Sequence, residues 1–157
     1  MKLYDYFRSS AAYRVRIALN FKGLAPERAF VHLRRNAQRD DDYLALNPHG
    51  LVPALVTDGG AVLAQSLAIV EYLDEAYPAT GAPLFPGDLR TRALVRRLVL
   101  EVDNYFNEAV DPVIRQAFFT KAEDRKPERI AEGRQALAEE FVLFTKAMRG
   151  EFLAGPL

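Results

Sequence analysis

Short β-rich runs alternate with helical stripes over the first 77 residues, and beyond residue 88 the strand signals vanish. A chain patterned in this way has to build two different halves. Residues 2–7, "KLYDYF", predict a short strand with Leu3, Tyr4 and Tyr6 among its buried members. Residues 10–22 predict a helix, because Val15, Ala18, Leu19 and Phe21 recur at three- and four-residue steps. Gly23 stands where a C-cap glycine would end it. "ERAFVHL", 27–33, predicts a second strand; a polar stretch then leads from Arg34 to Asp42 into a helical turn. "LVPALV", 51–56, and "AVLAQ", 61–65, predict two strands joined by "TDGG", an Asp-Gly hairpin turn. "SLAIVEYLDEAY", 66–77, predicts a helix with a serine cap that stops before Pro78. The order β-α-β-α-β-β-α makes the first two strands parallel and the last two an antiparallel hairpin. Helices then cover both faces of a mixed α/β sheet.

Residues 1–78 therefore form an N-terminal domain, 79–87 a proline- and glycine-rich linker, and 88–157 an all-α domain. In the helical half, Leu94, Leu98, Val102, Tyr105 or Phe106, Ala109 and Val113 mark one stripe of a long helix capped by Asp88. Pro112 should kink or divide it. A second helix should begin near Pro127, with Ile130, Leu137, Phe141, Phe144 and Met148 as its stripe. Two helices make one layer, and the final "EFLAGPL" is apolar with nothing behind it. The chain is expected to lack a C-terminal portion.

Composition removes several function classes. Lys+Arg and Asp+Glu number 21 each, and nucleic-acid binding wants a basic excess. There is no cysteine, so disulfides, thiolate–metal sites and a Cys-x-x-Cys redox centre are excluded. Two histidines exclude a His-rich metal site. No apolar run reaches membrane-spanning length and "MKLYDYF" lacks a signal-peptide core, so the cytoplasm is the expected compartment.

The segment "YFRSSAAYRVRIALNFKG", with an NP-x-x-x-VPAL strand and a QS-x-AI-x-EYL helix, resembles the cytosolic glutathione transferases of the zeta class. That class includes maleylacetoacetate isomerases, and the maleylpyruvate isomerases are similar. The likeness is close over residues 1–78 and mainly one of helical layout over 88–157. It implies a thioredoxin-like N-terminal domain followed by a helical domain, glutathione as cofactor and a homodimer. Ala11 stands where the zeta fingerprint has cysteine, and Tyr13 where it has tryptophan. The cysteine assists some zeta-class activities, although the maleylpyruvate type also lacks it.

The resemblance implies a set of site residues. A free thiol has a pKa of about 8.5, and lowering it by roughly two units takes about 2.7 kcal/mol of preferential thiolate stabilisation. One hydroxyl donor supplies roughly 1.5–3 kcal/mol, and a helix N-terminus about 0.3–1 kcal/mol. Ser9 and Ser10, at the first turn of helix 10–22, offer both effects as donors rather than as nucleophiles; their plainer reading is helix capping. Arg8 is either a solvated arginine or a fork for a carboxylate of a dicarboxylic substrate. Pro53 is awkward within a strand; in the family the matching peptide bond is cis, and the Val52 backbone pairs with the cysteinyl part of glutathione. Gln65 and Ser66 hold the γ-glutamyl carboxylate at a helix N-terminus. Gln38 and His49 are placed near the glycyl carboxylate, or else in an exposed loop. His32 reads as structural. Arg90, Arg92, Arg96 and Arg97 read as a solvated helix face, or as part of the dimer seam by resemblance.

The leading expectation is a glutathione-dependent cis–trans isomerase acting on an unsaturated dicarboxylic acid. The alternatives are a transferase conjugating or dehalogenating small electrophiles, and a non-catalytic binding module with the same fold. A thioredoxin-type oxidoreductase is eliminated by the absence of cysteine.

Overall fold

The computed structural model describes residues 1–148 and Leu153, so the terminal "EFLAGPL" lies, apart from Leu153, outside the described residues. The chain divides into two compact units, Met1–Phe85 and Pro86–Leu157.

The first unit is a four-stranded mixed sheet with helices. Strands β1 (Lys2–Asp5), β2 (Glu27–Phe30), β3 (Ala54–Val56) and β4 (Val62–Ala64) stand in the order β2-β1-β3-β4. The β1–β2 pair is parallel, whereas β1–β3 and β3–β4 are antiparallel. Helices α1 (Ser10–Phe21) and α3 (Ser66–Ala76) pack on each other. The short α2 (Asp41–Leu46) lies between β2 and β3 in sequence. Side chains alternate along β1. Tyr6 joins Val31, Tyr43 of α2 and Val52 in a buried cluster, with Tyr4 packed against it. Leu3 and Asp5 turn to the opposite face, where Arg16 of α1 donates to Asp5 at 3.1 Å. Arg28 of β2 pairs with the same carboxylate.

Several elements are shorter than the sequence pattern suggests. The second strand ends at Phe30, and residues 33–35 form a 3₁₀ turn. The third begins only at Ala54, beyond Pro53, which has no N–H for a ladder. On α1, Val15, Ala18 and Leu19 are buried, but Phe21 is 63% exposed. The buried stripe runs Ala12, Val15, Leu19 and Lys22, so at about 100° per residue Phe21 points roughly a quarter-turn away from it, and Lys22 takes the inward position.

The stretch after Pro78 is fastened to α1 and α3. A Cβ on Gly81 would stand 2.0 Å from the Phe21 carbonyl oxygen, so only glycine permits this approach. The Ala82 N–H donates to that carbonyl at 3.2 Å. The Leu84 and Phe85 N–H groups donate to Asp74 at 2.8 and 3.1 Å. Lys22, 1% exposed, pairs with Asp74 at 2.8 Å.

The second unit is helical. Helix α4 (Leu89–Glu101) is capped by Asp88, whose carboxylate accepts from the Thr91 N–H at 2.8 Å. It continues through a π-helical turn, 102–106, into α5 (Asn107–Ile114) and a second π-helical turn, 115–119. Pro112 does not divide it: the helix runs through the proline and is irregular on either side of it instead. Helix α6 (Pro127–Ala147) begins with Pro127 in its first turn. Phe106 is the inward residue of the Tyr105–Phe106 pair. Its ring meets Phe141 and Phe144 edge-on at 5.0 and 4.7 Å. Phe141 and Met148 are nonetheless exposed. No helix among the described residues is long and apolar enough to cross a membrane.

Candidate functional site

Register brings the predicted residues of the first unit to one end of the sheet. Tyr4, Ala54 and Ala64 stand abreast on β1, β3 and β4. The chain leaves β1 at that end toward Ser9, enters β3 there through Val52 and Pro53, and leaves β4 there into Gln65 and Ser66. Three segments distant in sequence thus meet because strand direction alternates across β1, β3 and β4.

Ser9 is the N-cap of α1, with extended backbone (φ −78°, ψ 118°). Its hydroxyl oxygen accepts from the Ala12 N–H at 3.1 Å, and its own N–H donates to the Tyr6 carbonyl at 2.9 Å. Capping uses a lone pair and leaves the hydroxyl proton for another acceptor. Ser10 is the first helical residue and is exposed, so of the two serines only Ser9 caps. Arg8 is exposed, with its guanidinium 5.2 Å from the Phe7 ring centroid. Phe7 in turn stacks on Phe30 at 6.1 Å, and Phe30 and Tyr6 both touch His32.

The Val52–Pro53 peptide bond is cis, as the resemblance implies. Its approach is held by residues that sequence reasoning passed over. The Tyr43 hydroxyl donates to the Leu51 carbonyl at 2.6 Å, and the Asn47 side chain donates to the same oxygen at 2.8 Å. Burial pushes the Tyr43 hydroxyl up to about 12, so it stays a donor across the physiological range. Asn47 belongs to the quoted NP-x-x-x-VPAL pattern, which was a signal for it; Tyr43, in a short polar-flanked helix, gave none.

Gln65, and not Ser66, occupies the N-cap position of α3, at a left-handed φ of 69° and with no side-chain cap bond. Ser66 is the first helical residue and is buried; its hydroxyl accepts from Arg14 at 2.8 Å. The predicted serine cap is therefore replaced by a serine held by an arginine from α1. Gln38 sits in a 3₁₀ turn, 37–39, and its amide oxygen is buried without a protein partner. Its carbonyl faces Gly50, where a Cβ would meet it at 2.8 Å, so Gln38 and the His49–Gly50 turn are brought together. The His49 side chain is exposed; its backbone N–H donates to Asn47 at 3.3 Å. In the second unit, Arg97 pairs with Glu101 at 3.1 Å, while Arg92 is half-buried and so is not part of a purely solvated face.

Ser9, the cis Val52–Pro53 bond, Gln65 and Ser66 thus stand at one end of the sheet, where α1 and α3 both begin. A helix N-terminus favours negative charge, because its first N–H groups have no partner within the helix. The fold is thioredoxin-like, followed by a helical unit. The family described as "Glutathione S-transferase, N-terminal domain" matches residues 8–76. Glutathione S-transferase Z1 of Arabidopsis thaliana is 53% identical over 94 residues, covering 60% of this chain and 41% of its own length. Maleylacetoacetate isomerase of Pseudomonas aeruginosa is 56% identical over 80 residues, covering 50% of this chain and 38% of its own length. The solved structure of a maleylacetoacetate isomerase from Methylobacterium extorquens AM1, with bound malonate and GSH, superposes with a TM-score of 0.75 at 36% identity, covering 96% of this chain and 70% of that one. The chain belongs to the glutathione S-transferase family, within the group that holds the zeta-class transferases and maleylacetoacetate isomerases. Its matches span about two fifths of the length of those curated relatives.

Proposed function

We propose that this chain carries the glutathione site of a zeta-type enzyme that isomerises an unsaturated dicarboxylic acid such as maleylacetoacetate. One observation carries the reading: Ser9, the cis Val52–Pro53 bond and Ser66 lie at the same end of one sheet. Bound glutathione supplies a sulfur that, as a thiolate, adds reversibly to a conjugated carbon. The residues do the rest. Ser9 donates its free proton to the sulfur and favours the charged form. The N-terminus of α1 adds positive potential at the same place. Val52 offers its backbone N–H and C=O beside Pro53 to the cysteinyl unit. Gln65 and Ser66 receive the γ-glutamyl carboxylate, and Gln38 and His49 the glycyl end. Arg8, held against Phe7, takes a substrate carboxylate.

Ser10 is the weaker donor of the pair, because it lies exposed within the helix. The reading also carries a cytoplasmic homodimer and the domain limits 1–78 and 88–157. Ala11, in place of a cysteine, favours a second reading, in which the same thiolate conjugates or dehalogenates small electrophiles.

The test is substitution of Ser9 by alanine. If the hydroxyl holds the thiolate, the ultraviolet band of bound thiolate should move to higher pH by about 1–2 units, since 1.5–3 kcal/mol of donor strength is lost. Turnover at neutral pH should drop by at least tenfold. An unmoved band with unmoved turnover would remove the proposal. Assays with maleylacetoacetate, maleylpyruvate and a chloro-dinitroaromatic separate the two readings, because turnover of the last alone excludes isomerisation.

A further inference from the structure

We propose that Arg14 is a positioning residue of this site, setting the Ser66 hydroxyl as a donor for the α-carboxylate of a γ-glutamyl ligand. The inference rests on the glutathione reading above. Arg14 lies on the second turn of α1, next to the buried Val15, and is half-buried itself. Its guanidinium donates to the Ser66 hydroxyl oxygen at 2.8 Å, across 52 residues of sequence. A hydroxyl has two lone pairs and one proton. Once an arginine N–H occupies a lone pair, the proton is turned away from the arginine and is left for another acceptor. A donor polarised by a cation in this way gives a stronger bond to that acceptor.

The place is suited to a carboxylate. Ser66 opens α3, so the first-turn N–H groups have no partner within the helix. Gln65, just before it, holds a left-handed φ of 69° that a side-chain-bearing residue seldom adopts. Such backbone conformations cluster at ligand sites. A merely structural tie between α1 and α3 would use the same bond, so the test has to isolate the carboxylate.

Calorimetry on the 157-residue chain compares glutathione with 4-aminobutanoyl-cysteinyl-glycine, which lacks only the α-carboxylate. Arg14→Met should weaken glutathione about tenfold and the analogue less than about twofold. Ser66→Ala, which removes the accepting oxygen alone, should reproduce that pattern. The double variant should lose no more than about twofold beyond either single one. Circular dichroism establishes that each variant is folded. Equal losses for both ligands, or no loss, would overturn the role of Arg14 while leaving the glutathione reading intact. A wild-type chain that binds neither ligand would overturn both.

Discussion

The two units solve the burial problem to different degrees. In the first, Leu3, Val15, Leu55, Ile69 and Leu73 are all 0% exposed, because a sheet has two faces and helices lie over them. In the second, Leu98 and Ala109 are the only buried hydrophobic residues among those described. Phe118 and Phe119 are 71% and 75% exposed there. Helices in a single layer bury one stripe each and leave the rest of their apolar surface uncovered. The candidate site sits in the unit that is closed, where its backbone is held by ladders, buried pairs and hydroxyl bonds.

Five substitutions sharpen this contrast. Lys22→Met should be the most costly, roughly 3–5 kcal/mol, because it removes a fully buried cation and leaves the largely enclosed Asp74 carboxylate without it. Urea unfolding measures the loss, and a loss under about 1 kcal/mol would mean that the clip between α1, α3 and residues 84–85 does not matter. The same carboxylate gives a pH signature. Burial pushes Asp74 up, but the Leu84 and Phe85 N–H groups and Lys22 outweigh it and hold the carboxyl below its ordinary 3.8. A lowered folded-state pKa means the contribution is complete above pH about 4 and fades as pH falls further. Wild type and Asp74→Asn should accordingly differ at neutral pH and converge in acid.

Leu55→Ala should come next, at roughly 2–5 kcal/mol, since the methyl groups lost are fully enclosed. Smaller still is Gly133→Ala in the second unit. A Cβ there would stand 2.7 Å from Val113 and 2.9 Å from the Ala109 carbonyl oxygen. Helix propensity favours alanine by about 1 kcal/mol, yet a carbonyl on α5 cannot step aside, so a net loss of about 1–2 kcal/mol is expected. A gain in thermal midpoint would show that α5 and α6 are free to part. Phe118→Ser should change stability by less than about 0.5 kcal/mol. A loss above about 1 kcal/mol in that variant would reveal a cover over this face in solution and erase the contrast.

Much of the first unit was legible from local chemistry. The Asp-Gly turn, the helix stripe of Val15, Ala18 and Leu19, and the Asp88 cap each depend on residues a few positions apart. The Val52–Pro53 isomer came from resemblance, since from the residues alone a trans bond is the ordinary case. Three things were not legible. Phe21 looked like the end of the stripe, but the inward position there belongs to Lys22, which is 1% exposed and paired with Asp74. Pro112 lacks a helical N–H, yet the helix absorbs it between two π-helical turns. Arg14 and Tyr43 carry no local mark of their roles, because their partners lie 52 and 8 residues away.

By itself the sequence determined the alternation of strands and helices, the loss of strands after residue 88, and the serine that caps the first helix. Those follow from periodicity and from bonds closed within one turn. Only the tertiary structure decided that the Ser66 hydroxyl is held by an arginine instead of capping its own helix, and which strand ends meet. Strand direction and side-chain reach across the sheet are set by long-range packing, on which no local stretch of residues carries the information.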